Sequence, residues 1–423
     1  MKIVKTKINS LLAAVALSTL VLQACNKEFE TIADTPATGG TIAVGTQTIG
    51  AIVATDTTYS YFNALLTKAG TGAPALSNAS LRFTAFIPNN AAFRASGPAF
   101  ATAALVTSNL TATQAASIAN YALTPQLLPA EQIPTTFPNL QAPTLLNPTV
   151  GTPAFSPFVS LSTFPSRRGT TTWVNNVPLV ATNIAASNGI IHNTAVLVSP
   201  PSVTLWSRIS TDPDMTYFKA AVSRGDSGMV GTARIDSLLN LPIGPNFTVF
   251  VPKDSAFKVL LTAQITGALV ARGLPLANAQ AAAAALVTTY GTTIISNPAS
   301  IPDAPIFPAG TGIGAALANA FSPTAMKGIG VYHILGVRAF TVNFPTTATA
   351  VPTLLNSAVP THPGVMLQAT FGPTGVTAAT VKGAANTTAS NLLINPTPNP
   401  GGTSEQHFTN GVLHKIDQVL RPQ

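Results

Sequence analysis

Five histidines, thirteen carboxylates and one cysteine are the groups in this 423-residue chain that could carry acid–base, nucleophilic or metal chemistry. The histidines are His192, His333, His362, His407 and His414. None forms a His-x-x-x-His pair and none has a Glu at metal-ligand spacing, so no zinc site is expected. A single cysteine, Cys25, allows neither an intrachain disulfide nor a cysteine metal cluster. No Gly-x-Ser-x-Gly turn is present, and no glycine-rich phosphate loop precedes a helix. The carboxylates form no visible acid–base pair. The expectation is a non-catalytic chain that holds no metal or cofactor.

The polar residues that do stand out belong to a repeat. Phe247-Thr-Val-Phe-Val-Pro-Lys-Asp-Ser-Ala-Phe257 aligns without a gap with Phe83-Thr-Ala-Phe-Ile-Pro-Asn-Asn-Ala-Ala-Phe93. The β-branched and aromatic run reads as a buried strand, and Pro252 or Pro88 stops it because proline cannot donate to a sheet ladder. Asp254 and Asn90 are then expected to cap the helix that follows. A second pair is Asn188-Gly-Ile-Ile-His192 against Asn410-Gly411-Val-Leu-His414, a turn dipeptide leading into a strand. Between them, Asn120-Tyr-Ala-Leu123 corresponds to Val331-Tyr332-His333-Ile-Leu335. Three segments in the same order, twice, indicate two homologous domains in tandem. His192 and His414 hold equivalent strand positions and are expected to be half-buried, each bonding a backbone group or a neighbouring side chain. For His414, Asp254 and Asp417 are both possible acidic partners.

These segments resemble the fasciclin family of extracellular adhesion domains. The second copy carries the closer match, through Thr248 to Phe257, Tyr332-His333 and Asn410 to Leu420. The first copy departs where Asn90, Ala122 and Ala195 replace an acidic residue, the His and Asp417. The resemblance implies an α+β fold: two tandem fasciclin-like domains, each a wedge or sandwich of about seven strands with several small helices. It also implies that Tyr332 and His333 belong to a region implicated in adhesion. A core tyrosine with a hydrogen-bonded histidine is the competing reading of the same pair.

Ahead of the repeats, Lys2, Lys5 and Lys7 precede an apolar run from Leu11 to Leu22. That run is too short to span a membrane comfortably and reads as a signal peptide. Leu22-Gln-Ala-Cys25 resembles the bacterial lipoprotein box, with Cys25 as the lipidated residue. Asn26-Lys-Glu-Phe-Glu30 resembles the outer-surface export signal of Bacteroidetes lipoproteins, or is simply a solvated tether. The expected organisation is a leader over 1–24, a flexible tether over 25–47 rich in Thr, Gly, Ala and Pro, a first domain over 48–202 and a second over 203–423. The leader holds three lysines and no carboxylate, so its removal takes the net charge from +8 to +5. Only 8% of residues are charged, against about 25% in an ordinary protein. Arg167-Arg168 is the only adjacent basic pair after the leader, so nucleic acid is not an expected partner.

Amphipathic helices are predicted to open the two domains, around Thr58–Lys68 and from Met215, the latter after a capping Asp212-Pro-Asp214. Spacing separates the copies. Pro88 to Tyr121 spans 33 residues, whereas Pro252 to Tyr332 spans 80. The second domain therefore carries an insertion within about 258–325, including the alanine-rich helix former Leu276–Leu286. A helical lobe that contributes to binding is one expectation for it, a neutral loop expansion the other. Residues 374–404 are expected to hold a strand or two and a long exposed loop.

The functional expectation is a lipid-anchored protein of the bacterial outer membrane, facing the cell surface. There it would bind an extracellular protein or glycan without catalysis. The alternative is an envelope carrier module for a polysaccharide or a small apolar ligand. An adhesin needs an exposed patch, whereas a carrier needs a concave pocket, expected between the insertion and the core.

Overall fold

The proline-stopped strands lie beside the Asn-Gly strands in both halves of the chain. The computed structural model describes residues 44–70, 72–148, 159–302, 312–373, 375–395 and 402–423. The leader, Cys25, most of the tether and residues 303–311 of the insertion lie outside them. In the first domain, β1 (Phe83–Pro88) runs parallel to β8 (Gly189–Thr194), with Phe83 opposite Gly189 and Pro88 opposite Thr194. In the second, β9 (Phe247–Pro252) runs parallel to β16 (Gly411–Ile416), with Phe247 opposite Gly411 and Pro252 opposite Ile416. All four strands are buried along their whole length, as an unbroken apolar run in a parallel pair requires. Neither turn glycine could carry a side chain. A Cβ at Gly189 would lie 2.1 Å from the Phe83 carbonyl oxygen, and one at Gly411 would lie 2.5 Å from that of Phe247.

The third repeated segment takes the other flank. β2 (Leu123–Thr124) pairs antiparallel with β1, and β10 (Ile334–Leu335) does the same with β9. The first domain continues outward from β8 through β7 (Val177–Ala186), β6 (Thr171–Val174) and β5 (Pro165–Arg168), giving a six-stranded sheet. A two-stranded ladder of β3 (Ala142–Pro143) and β4 (Ser162–Thr163) completes it. The second domain instead has two four-stranded sheets. One adds β15 (Gln406–Phe408) beside β16. The other is antiparallel and contains β11 (Thr349–Val351), β12 (Val365–Gly372), β13 (Gly375–Lys382) and β14 (Ser390–Asn391). Among the described residues, eight strands thus stand in each half where about seven were expected.

Helices pack against these sheets. α1 (Ile49–Thr55), α2 (Ser60–Ala69), α3 (Asn90–Ala95) and α4 (Ala112–Tyr121) serve the first domain. α5 (Leu205–Thr211), α6 (Thr216–Gly225) and α7 (Asp254–Val270) answer the first three of these in the second. Thr48 and Thr204 cap α1 and α5 through their hydroxyls. The described part of the insertion is mainly helical. α7 runs for 17 residues where α3 has six, then α8 (Leu276–Tyr290), α9 (Thr293–Ser296) and α10 (Ile313–Ala320) follow, before α11 (Pro323–Tyr332) rejoins the repeat. Leu261, Ile265 and Leu269 of α7 meet Ala279, Ala283 and Leu286 of α8 in a core continuous with that of the domain. Heptad-like apolar spacing on both helices produces that seam. No helix among the described residues is long and apolar enough to cross a membrane.

Candidate functional site

The motif side chains form one hydrogen-bonded constellation, built twice. Thr84 and Thr248 donate their hydroxyls to the carbonyls of Gln126 and Val337, both at 2.7 Å, and accept from the amides of Leu128 and Ala339. Those two residues in turn receive the histidines. His192 Nε2 donates to the Leu128 carbonyl at 2.9 Å, and His414 Nε2 to that of Ala339 at 3.1 Å. The other ring nitrogen, Nδ1, accepts the amide of Asn183 or Glu405. Each ring also stacks on a strand phenylalanine, Phe86 or Phe250. Both rings are fully buried rather than half-buried, and burial drives the His414 pKa down to about 4 and lowers that of His192. Neither Asp254 nor Asp417 is the partner of His414. The backbone is.

The two aspartates have other tasks. Asp254 is the first residue of α7, and its carboxylate accepts the Tyr217 amide at 3.0 Å and the Thr216 hydroxyl at 2.6 Å. Asn90 does the same for α2, accepting the Tyr61 amide at 3.0 Å. Both residues therefore cap the N-terminus of the second helix of their domain, α2 or α6, which follows the opening α1 or α5, and not that of their own. The proline stop turns the chain so that this side chain reaches across to free amides one helix away. The cap of α3 is Asn89, while Lys253 precedes α7 without a side-chain cap. Asp417 closes β14, accepting the Ser390 hydroxyl, the Asn391 amide and the Asn391 side chain. Asn188 and Asn410 tie down α1 and α5, accepting the amides of Ile49 and Leu205 and donating to the carbonyls of Leu76 and Leu239. Pro88 and Pro252 end their ladders at the buried edge of these caps.

Tyr332 and His333 face inward. Both are wholly buried. The Tyr332 hydroxyl donates to the Gly364 carbonyl at 2.6 Å and accepts the Ala384 amide at 2.9 Å. His333 Nδ1 donates to the Ile329 carbonyl, and Nε2 accepts the Leu420 amide. Burial holds this ring near pKa 4, so it stays neutral. Tyr121 repeats the tyrosine's role with Ser162 and Asn175, while Ala122 leaves the histidine's contacts unmade. As placed, the pair offers nothing to a ligand. His362 likewise bonds the Gly364 amide and the Pro422 carbonyl. Among the described residues no group of three His, Cys, Asp or Glu could hold a metal ion.

The repeat has a member that the motif alignment missed. Asn183 and Glu405 each lie nine residues before their histidine, and both have a left-handed backbone, φ 58° and 55°. Each side chain accepts an amide from the loop after the edge strand, Ala130 or Thr341. Equal spacing from the histidines was the available signal. Also unforeseen is the seam between the domains. Arg168 donates to the carbonyls of Val342 and Phe344 and lies 3.6 Å over the Phe371 ring. Asn139 accepts the Phe340 amide, and Asn343 donates to the Thr136 carbonyl. Arg338, buried beside Phe164, donates to His407 Nε2, which must be unprotonated to accept, and to the carbonyls of Phe408 and Thr409. Burial first, then this guanidinium, lowers the His407 pKa.

The outward feature is a groove of about 730 Å³ on the inserted helices. Val259, Ala263, Thr266, Gly267 and Val270 of α7 and Leu276 and Gln280 of α8 line it, with Lys258 at one end. Val259, Leu276 and Val270 are 72%, 59% and 41% exposed, which is unusual for aliphatic side chains on two adjacent helices. The groove lies on the outer surface of the insertion, not between the insertion and the core.

Paired parallel strands with capped helices and a buried histidine on each make this a tandem α+β protein. The fasciclin domain family model matches residues 57–199, within the first of the two copies and about a third of the chain. Among solved structures, the chain is similar to a FAS1 domain pair from the insect cell adhesion molecule fasciclin I. That likeness is at 15% identity, over 85% of this chain and 95% of the other, with a TM-score of 0.32. No curated protein matches the chain.

Proposed function

We propose that this chain is a surface-anchored bacterial lipoprotein whose fasciclin-like domains mediate adhesion or protein and glycan interaction without catalysis. The observation that carries this reading is the division of labour between inside and outside. The repeated polar side chains are buried and bonded to backbone, while the exposed distinctive surface is an aliphatic groove on inserted helices. A catalytic centre needs titratable groups that can reach a substrate, and the buried histidines are committed to structure. The fasciclin match over residues 57–199 supports a binding role, because domains of this family are associated with adhesion. The lipid anchor rests on Leu22-Gln-Ala-Cys25 and the outer-membrane location on Asn26–Glu30. An enclosed ligand pocket is what the carrier reading needs, and the groove is open along its length.

Protease shaving of intact cells tests the location, with a Cys25→Ala variant as the unanchored control. The purified mature protein is then tested on glycan and matrix-protein arrays. Removal by shaving, release of the variant from the membrane and saturable array binding are the expected results. Full protection of the wild-type protein, or an array with no binder while a bound lipid or sugar copurifies, would leave the carrier reading in place instead.

A further inference from the structure

One loop of the second domain, Phe340 to Phe344, bonds the first domain through every residue but one. The Phe340 amide donates to Asn139 Oδ1 at 2.9 Å, and Asn343 Nδ2 donates to the Thr136 carbonyl at 2.7 Å. The Val342 and Phe344 carbonyls accept from Arg168 at 3.2 and 2.7 Å. Phe340 and Val342 also pack with Phe164 and Trp173 of the first domain. Thr341, in the middle of this run, bonds within its own domain instead. Its amide and hydroxyl both donate to the buried Glu405 carboxyl group. The same short loop is thus held from the front by the first domain and from behind by one acid.

We propose that Glu405 is a proton-controlled latch on this seam: the neutral acid holds Thr341 and keeps the loop against the first domain, and loss of the proton frees the loop. The device is separate from the interaction-module reading and does not depend on it. Glu405 is 2% exposed and, among the described residues, has no ion-pair partner. The charged and titratable groups around it are committed elsewhere. His414 on β16 is neutral and turns Nδ1 to the Glu405 amide. Arg338, three residues before Thr341, has its Nη atoms on His407 Nε2 and on the carbonyls of Phe408 and Thr409. Burial and that guanidinium keep His407 neutral. Lys415 Nζ lies on Asp212 and Asp214, and Arg168 on the loop carbonyls. A carboxylate left there draws in water or swings outward, and either breaks the Thr341 bonds. Burial places the change at about pH 7, with the loop held below it and loosened above it. Asn183 fills the equivalent place in the first domain and cannot titrate, so the latch is confined to the domain whose loop makes the seam.

Trp173 lies in the seam at 4% exposure, and Trp206 is the only other tryptophan of the chain. In a mature protein carrying Trp206→Phe, acrylamide quenching of Trp173 therefore reads the seam from about pH 5.5 to about pH 8.5. Quenching is expected to rise about threefold or more across that range, as local opening requires, with its midpoint near 7. In Glu405→Gln it stays at the low-pH level throughout. His407→Gln, whose amide oxygen still accepts from Arg338, keeps the parent profile. Arg168→Ala, which cuts the front of the loop, is quenched at both ends of the range. A flat profile in the Trp206→Phe protein would overturn the proposal without any further variant. So would a rise that persists in Glu405→Gln, or one that disappears in His407→Gln. Loss of far-ultraviolet circular dichroism over the same range would make the change global unfolding and overturn it too.

Discussion

Glu405 has its carboxylate inside the protein, held by the Thr341 amide and hydroxyl, on a backbone at φ 55°. Burial raises its pKa to about 7, so the folded state favours the protonated acid. A carboxyl whose folded pKa exceeds its unfolded value of about 4.5 stabilises the fold most below pH 4.5. That contribution is lost as pH rises through about 7. His333 and His414 act with the opposite sign. Their folded pKa of about 4 lies below 6.5, so their contribution is complete above pH 6.5 and lost as pH falls through 4. Asn183, at the equivalent site of the first domain, has the same backbone and the same amide bond without a charge. Glu405→Gln is therefore expected to match the wild type near pH 4.5 and to exceed it by roughly 2–3 kcal/mol at pH 8. Urea midpoints measured across that range check it. A variant that is less stable than wild type at pH 8 would mean that the ionised carboxylate is stabilising, contrary to its burial.

At the scale of elements, the repeat works by one strand end capping a distant helix. Asp254 and Asn90 sit one residue inside helices that they do not cap. Asp254→Ala and Asn90→Ala are each expected to lose about 1 kcal/mol, the usual value of an N-cap. Asp254→Asn is expected to be close to neutral, since the first domain already uses asparagine there. Equilibrium denaturation settles the comparison, and an Asp254→Asn variant as damaged as Asp254→Ala would show that charge matters more than the cap. The strands, the proline stops, the tandem order and the alanine-rich inserted helix could be read from residue patterns, because each follows from local sequence. The identity of a cap's partner could not, since Asp254 and Tyr217 are 37 positions apart and any free amide satisfies an acceptor. Tyr332 and His333 illustrate the same limit. Their types suit a core or a binding surface equally, and only the approach of Gly364, Ala384 and Leu420 decides it.

At the scale of the molecule, the two domains are joined by a seam that no motif announced. Its members come from positions more than 170 apart, as with Arg168 and the carbonyls of Val342 and Phe344, and a lone Arg-Arg pair carries no sign of such a partner. Phe164 of the first domain meets Phe340 and His407 of the second, and Phe137 meets Phe344. Contacts of this kind are aromatic and charge-assisted, so they restrict relative domain motion more than a polar linker contact would. The groove on the inserted helices is then carried by a domain that its neighbour contacts through this seam. If so, the domains should unfold together. Calorimetry of the wild-type protein is expected to show one cooperative transition. Arg168→Ala removes its bonds to two carbonyls and the stacking on Phe371, a loss of about 2–3 kcal/mol that falls on the seam alone. The transition should split in that variant, with the higher-melting component unchanged. Phe164→Ala, which opens the same seam from its apolar side, should split it as well. A wild type that already melts in two steps, or an Arg168→Ala variant whose single transition keeps its midpoint, would show that the domains fold independently and that the seam is a contact without coupling.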